Sequence, residues 1–264
     1  MNSISIDALV ERFVGAMSKL DIVQRLALFA MAFQVRSLVP DEKFHSMGNG
    51  LYWIDDACLG QSDDTSEYIK APAFVYEVND LPWGGGALQK DAIESYLSAA
   101  LHVVGNYLIP IYKKLFAPPC VTQDEIRFLI SKGAAIVGTH REQFARGVFY
   151  GMMEDFCTAA YLLAPQIENF VRALYNVNNI AVFNAKNRPR GFGALLDDSA
   201  GASVMSPVPA FEFRCIFVDS RGLNLRNSLA HGNLTDDQVN GIEMFYVWWF
   251  ALRMVVNLKM TPKV

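Results

Sequence analysis

The chain lacks the marks of several function classes. Its four cysteines stand far apart, at Cys58, Cys120, Cys157 and Cys215. No Cys-x-x-Cys pair exists, which excludes the common zinc and redox motifs. Each is read as a small buried hydrophobe with a reduced thiol, the state expected in a cytoplasm. There is no His-Glu-x-x-His of a zinc protease and no Gly-x-Ser-x-Gly nucleophile elbow. The triplet His140-Arg141-Glu142 has the His-x-Glu of a zinc-dependent base deaminase, but Pro119-Cys120 precedes it and has no second cysteine three residues on, so that chemistry is excluded. No uncharged apolar run reaches the roughly 18 residues of a membrane span. The richest apolar stretch, Phe245 to Val256, is too short and contains Arg253. The N-terminus has no basic segment ahead of an apolar one, so no secretory signal is expected. Repeats and low-complexity tracts are also missing. These absences point to a cytoplasmic protein without metal, other cofactor or membrane partner.

Charge is scarce too. Charged residues make up 19% of the 264, against 52% hydrophobic, which suits a large buried core and argues against disorder. A net charge of −4 argues against a general coat for nucleic acid. The charge is uneven, however. Residues 186 to 231 hold six basic side chains (Lys186, Arg188, Arg190, Arg214, Arg221 and Arg226) and four acidic ones. A local positive surplus can hold a short RNA segment by its phosphates. The same arginines also suit a solvated loop.

Helical patterning dominates what is present. Apolar residues from Leu9 to Phe33 recur at helical spacing, so one helix is expected over 5 to 38, capped by Asp7 and stopped by Pro40. The stretch 40 to 88 is irregular. Within it, Leu51-Tyr52-Trp53-Ile54 and Ala73 to Val78 have the composition of short strands, and Gly84-Gly85-Gly86 reads as a turn. Capping boxes are expected at Asp91/Glu94, Thr122/Glu125, Thr139/Glu142 and Thr235/Gln238. The first opens a helix to about 109, which Pro110 kinks or ends, with Pro118-Pro119 closing the region. The third opens a helix running to Leu163, which Pro165 kinks or restarts and which ends near Tyr175. The fourth opens a last helix to about Leu258. Residues 180 to 207 read as a hairpin or loop. Trp248-Trp249 with Phe245, Tyr246 and Phe250 reads as helix core or dimer packing rather than a base-stacking surface. The fold class expected is all-α, a helical bundle over 89–264 with an N-terminal extension over 1–88 that adds helix and small β elements.

The densest chemistry lies in Gly222-Leu223-Asn224-Leu225-Arg226-Asn227-Ser228-Leu229-Ala230-His231-Gly232. An imidazole can take or give a proton near neutrality. A guanidinium fork can give two parallel hydrogen bonds to a phosphate. An Asn amide can orient either group. Arg226, Asn227 and His231 are thus a sufficient set for cleaving RNA without a metal. Five residues along a helix turn about 500°, leaving Arg226 and His231 about 140° apart. They come together only if His231 sits at a helix end beside Gly232, a residue suited to a left-handed C-cap. A purely conformational role for the three is the alternative, with Arg226 pairing a carboxylate. Upstream, Glu168 and Arg172 stand four apart on a helix and suit an ion pair.

The Arg-Asn-x-x-x-His-Gly segment, together with Pro165-Gln166-Ile167-Glu168, resembles the HEPN superfamily of helical nucleotide-binding domains and ribonucleases, over about residues 140 to 260. The likeness is to a bacterial group sharing a Pro-Gln-Ile/Leu-Glu helix and a Leu-Arg-Asn-x-x-x-His-Gly segment. The resemblance implies a metal-independent endoribonuclease that leaves 2′,3′-cyclic phosphate ends. Arg226, Asn227 and His231 would be catalytic and Glu168 and Arg172 supporting, Glu168 by pairing with Arg226 and orienting it, with Arg221, Arg190 and Arg188 as RNA-binding candidates. It also implies a homodimer with a composite site, a toxin or phage-defence setting, and a regulatory or antitoxin protein as partner. The alternative it leaves is a non-catalytic module that binds a nucleotide or RNA.

Overall fold

A computed structural model describes residues 5–36, 44–48, 51–61, 68–78, 81, 83, 90–116, 120–132 and 138–257. The features expected at Pro40, Gly84 to Gly86, Pro118-Pro119 and Leu258 lie outside them. The chain is predominantly α-helical, as expected.

The helix expected over 5 to 38 is instead two helices and a strand. Helix α1 spans Ile6–Met17 and α2 spans Ile22–Ala30. Ser5, not Asp7, caps α1, accepting from Ala8 N. Asp21 and Gln24 form a capping box that starts α2 afresh. Strand β1, Phe33–Arg36, then runs parallel to β4, Tyr68–Glu77. With β2 (Phe44–Gly48) and β3 (Leu51–Gln61) they form one sheet in the order β1-β4-β3-β2. The expected strands fall on β3 and β4. Ala73, Phe74, Val75 and Tyr76 are all buried, so this part of β4 is covered on both faces. That is why it reads as a continuous apolar run rather than an alternation.

Helix α3, Lys90–Val103, passes through a π-helical turn, Val104–Leu108, into α4, Ile109–Leu115. Asp91 therefore sits in the first turn rather than capping it. Pro110 does not end the rod, because the wide turn before it absorbs the missing donor. The Thr122/Glu125 box opens α5, Gln123–Lys132. The Thr139/Glu142 box does not form. A 3-10 turn, Gly138–His140, delays α6 to Arg141–Met152, and Glu142 binds Arg127 instead. This helix stops well short of Leu163: Glu154 takes a left-handed φ of 63°, and Asp155 caps a new helix α7, Phe156–Val177. Pro165 lies inside α7 without breaking it.

Helices α8 (Phe192–Leu196), α9 (Pro207–Phe213), α10 (Leu225–His231), α11 (Asp236–Val239) and α12 (Ile242–Asn257) complete the chain. The Thr235/Gln238 box forms, but it opens only the four residues of α11. Helix α12 is the centre of the molecule. Its residues Met244 to Val255 are buried all round, as a helix enclosed by others must be. It packs on α2, α3, α6 and α7. Trp248 Nε1 donates to Val148 O at 3.0 Å and Trp249 Nε1 to Phe29 O at 2.9 Å. One hydrophobic core runs from Leu9 to Val255, so packing crosses the boundary expected at 88/89.

A buried charged network sits in that core. Arg253 donates to Glu212 at 2.5 Å and to Phe33 O at 3.3 Å. Tyr96 donates to the same Glu212 oxygen at 3.0 Å and also bonds the Tyr246 hydroxyl. The guanidinium lies over the rings of Trp249 and Phe250. Burial first, and then the Glu212 charge, push the Tyr96 phenol well above its usual range. Of the cysteines, only Cys215 is fully buried among those described. Cys120 and Cys157 are half-buried, which corrects the expectation that all are core residues.

Candidate functional site

The two segments that carry the resemblance meet where α10 lies against α7. A second π-helical turn, Arg214–Val218, extends α9, and the chain then folds back on it. Leu223 N donates to Cys215 O at 2.9 Å. A Cβ on Gly222 would stand 2.1 Å from that same carbonyl oxygen, so only glycine permits the approach. Asn224 takes a left-handed φ of 46° ahead of α10, a conformation Asn tolerates better than most residues. Leu225 anchors the helix in the core. The helix ends as expected, with Gly232 at φ 64°.

From this base the polar groups are arranged around one carboxylate. Glu168 on α7 has a side chain only 12% exposed. One of its oxygens accepts from Arg172. The other accepts from Arg226 Nε at 3.4 Å, with the Arg226 side chain 44% exposed. Glu168 therefore bridges the two helices and holds Arg226 by its Nε, leaving the terminal nitrogens toward other partners. Arg226 Nη1 reaches Asn227 Oδ1 at 3.5 Å, and Asn227 Nδ2 donates to Asn224 Oδ1 at 2.9 Å. Arg172 also donates to the carbonyl of Arg190, while its Nη1 is buried with no partner among the described residues.

A groove of about 280 Å³ opens beside this centre, lined by Tyr161, Ala164, Pro165, Glu168, Arg226, Leu229 and Ala230. His231 is exposed at the end of α10 and does not line it. Among the described residues nothing hydrogen-bonds its imidazole. One chain thus brings Arg226, Asn227, Glu168 and Arg172 together and leaves His231 apart from the groove.

The RNA-binding candidates divide. Arg221 binds Asp219 through two nitrogens, which holds that carboxyl below its usual range. Arg190 clamps its own loop, donating to Asp198, Ala181 O and Ala194 O. Arg188 alone of the three is exposed with no carboxylate partner among the described residues. Sequence reasoning passed over the groove-lining Tyr161. Its signal is its spacing, seven residues before Glu168 and so on the same face of α7.

Among the described residues no group of three His, Cys, Asp or Glu side chains stands together as a metal site. No described helix is long and apolar enough to cross a membrane. No family model, curated protein or solved structure matches this chain.

Proposed function

We propose that the chain is a metal-independent endoribonuclease of HEPN-like type. The observation that carries the reading is the Glu168–Arg226 pair, which joins the Pro-Gln-Ile-Glu helix to the Arg-Asn-x-x-x-His helix and leaves Arg226 exposed beside a groove. In the reaction, the 2′-hydroxyl loses its proton to a base and its oxygen attacks the adjacent phosphorus. The bond from phosphorus to the 5′-oxygen breaks, and an acid protonates the leaving oxygen. Arg226 neutralises the phosphate charge that builds up. Glu168 fixes the guanidinium, and Asn227 braces it from the other side. Arg172 supports Glu168.

His231 serves as acid or base. Because it stands off the groove in one chain, a composite site in a homodimer brings a second His231 to the phosphate, one imidazole as base and the other as acid. In this reading a regulatory or antitoxin protein covers the exposed site, in a toxin or phage-defence setting.

The test is cleavage of cellular RNA by purified wild type and His231→Ala in EDTA. Cleavage by wild type alone, with 2′,3′-cyclic phosphate ends, is expected. No cleavage by either, at matched folding and dimer content, sinks the proposal. The position of His231 away from the groove favours one second reading, a module that binds RNA or a nucleotide without cutting it. That reading expects tight binding by both proteins and products from neither.

A further inference from the structure

We infer that α7 carries a track for single-stranded RNA, running from Tyr161 at one end to the 183–189 hairpin at the other, with Arg226 between them. The choice of RNA rests on the ribonuclease reading; the track itself rests on four observations.

The first is alignment. Tyr161, Pro165, Glu168 and Arg172 recur at intervals of four, three and four residues along α7, which places them in one stripe about 16 Å long. The second is what the stripe presents. Tyr161 is 48% exposed at the mouth of the groove. Pro165 has no N–H, so the Tyr161 carbonyl loses its donor four residues on. A ring for stacking and a backbone acceptor thus lie side by side.

The third observation is at the far end. Arg172 bonds the carbonyl of Arg190 and so ties the stripe to the base of a hairpin. The hairpin is built from its backbone and the Asn184 side chain: Phe183 bridges to Pro189, Asn184 Oδ1 accepts from Lys186 N and Arg188 N, both at 3.0 Å, and Asn187 takes a φ of 53°. Arg190 pins it below. None of this uses the side chains of Phe183, Lys186 or Arg188. All three are exposed, Phe183 at 52%, and neither cation has a carboxylate partner among the described residues.

The fourth is charge. Two arginines share the single carboxylate of Glu168, so the middle of the track keeps a positive charge, and Lys186 and Arg188 add two more. An exposed ring at each end, with Arg226 between them and Lys186 and Arg188 beside Phe183, matches a strand with splayed bases and regular phosphates. A duplex hides its base faces and does not fit.

The experiment measures fluorescence anisotropy of a short, labelled, 2′-O-methyl single strand, which cannot be cleaved, and of its duplex. Wild type is compared with Tyr161→Ala, Phe183→Ala, the double variant Lys186→Ala/Arg188→Ala, and Phe128→Ala as an exposed ring on α5. Expected is preference for the single strand and a Kd about 10-fold weaker for each of the first two variants. The double variant should flatten the log Kd against log salt slope by about 1.4. Phe128→Ala should bind as wild type. Wild-type affinity in Tyr161→Ala and Phe183→Ala, or equal affinity for the duplex and the single strand, overturns the track. So does loss of dimer in sedimentation of Tyr161→Ala, because the groove is then a face between copies. The two proposals fail separately. Expected binding without cleavage of unmodified RNA refutes the nuclease and leaves the track; cleavage unaffected by the Tyr161 and Phe183 variants does the reverse.

Discussion

Replacing Glu212 by Ala should damage the fold more than any single change at the candidate site. The carboxylate is 5% exposed and accepts from both Arg253 and Tyr96. Removing it leaves a guanidinium charge in the core. Breaking a buried pair by deleting one partner costs about 3–5 kcal/mol. Arg253 retains the Phe33 carbonyl and its two aromatic faces, which keeps the cost within that range rather than above it. For a chain of this size about 4 kcal/mol lowers Tm by about 10 °C. Calorimetry or urea unfolding reads the change directly. The paired variant Glu212→Leu/Arg253→Met removes both charges and fills the space, so it should recover most of the loss, since apolar replacements of buried pairs are often neutral. A loss below about 1 kcal/mol for Glu212→Ala, or a double variant as unstable as the two single changes added together, refutes the reasoning.

Gly222→Ala should displace α10, because its Cβ meets the Cys215 carbonyl oxygen; RNA binding or cleavage should fall while thermal unfolding loses only about 1–3 kcal/mol. Alkaline pH should destabilise the protein. Burial raises the Tyr175 phenol to about 12, against about 10 unfolded, so stability is complete below about pH 10 and declines as pH rises towards 12; urea midpoints across that range, with tyrosinate absorbance, check the sign. Native alkylation followed by mass spectrometry should label Cys157 before Cys215, whose thiol is held up first by burial and then by the Glu212 and Asp219 charges; prior or equal labelling of Cys215 contradicts its burial.

The readable parts of the sequence were those governed by local chemistry. Thr122/Glu125 closes a capping box through neighbours three residues apart, and Gly232 ends α10 through its own φ. The aromatic run of α12 was legible as a packing surface, and its burial places it in the core. The failures came from long-range partners. Phe33 to Arg36 continue the helical pattern of α2, and only pairing with β4 makes them a strand. The break at Glu154 carries no glycine or proline; Asp155 capping Thr158 was its one local sign. At the site, the residue types and their order were legible. The Glu168–Arg226 pair spans 58 positions and followed only from the resemblance, and the groove beside it exists only once α7 and α10 are packed.

The attachment of α10 has a consequence for its dynamics. Seven residues are held by one fully buried side chain, Leu225, by the half-exposed Arg226–Glu168 pair and by one backbone bond from Leu223 to Cys215. Opening this segment exposes little apolar surface, whereas opening α12 exposes the core. Amide hydrogens should therefore exchange on two clocks, those of α12 only when the whole chain unfolds and those of α10 through a cheaper local event. A ligand seated against Arg226 would slow the second clock and leave the first nearly unchanged, so exchange on α10 reports occupancy of the site directly.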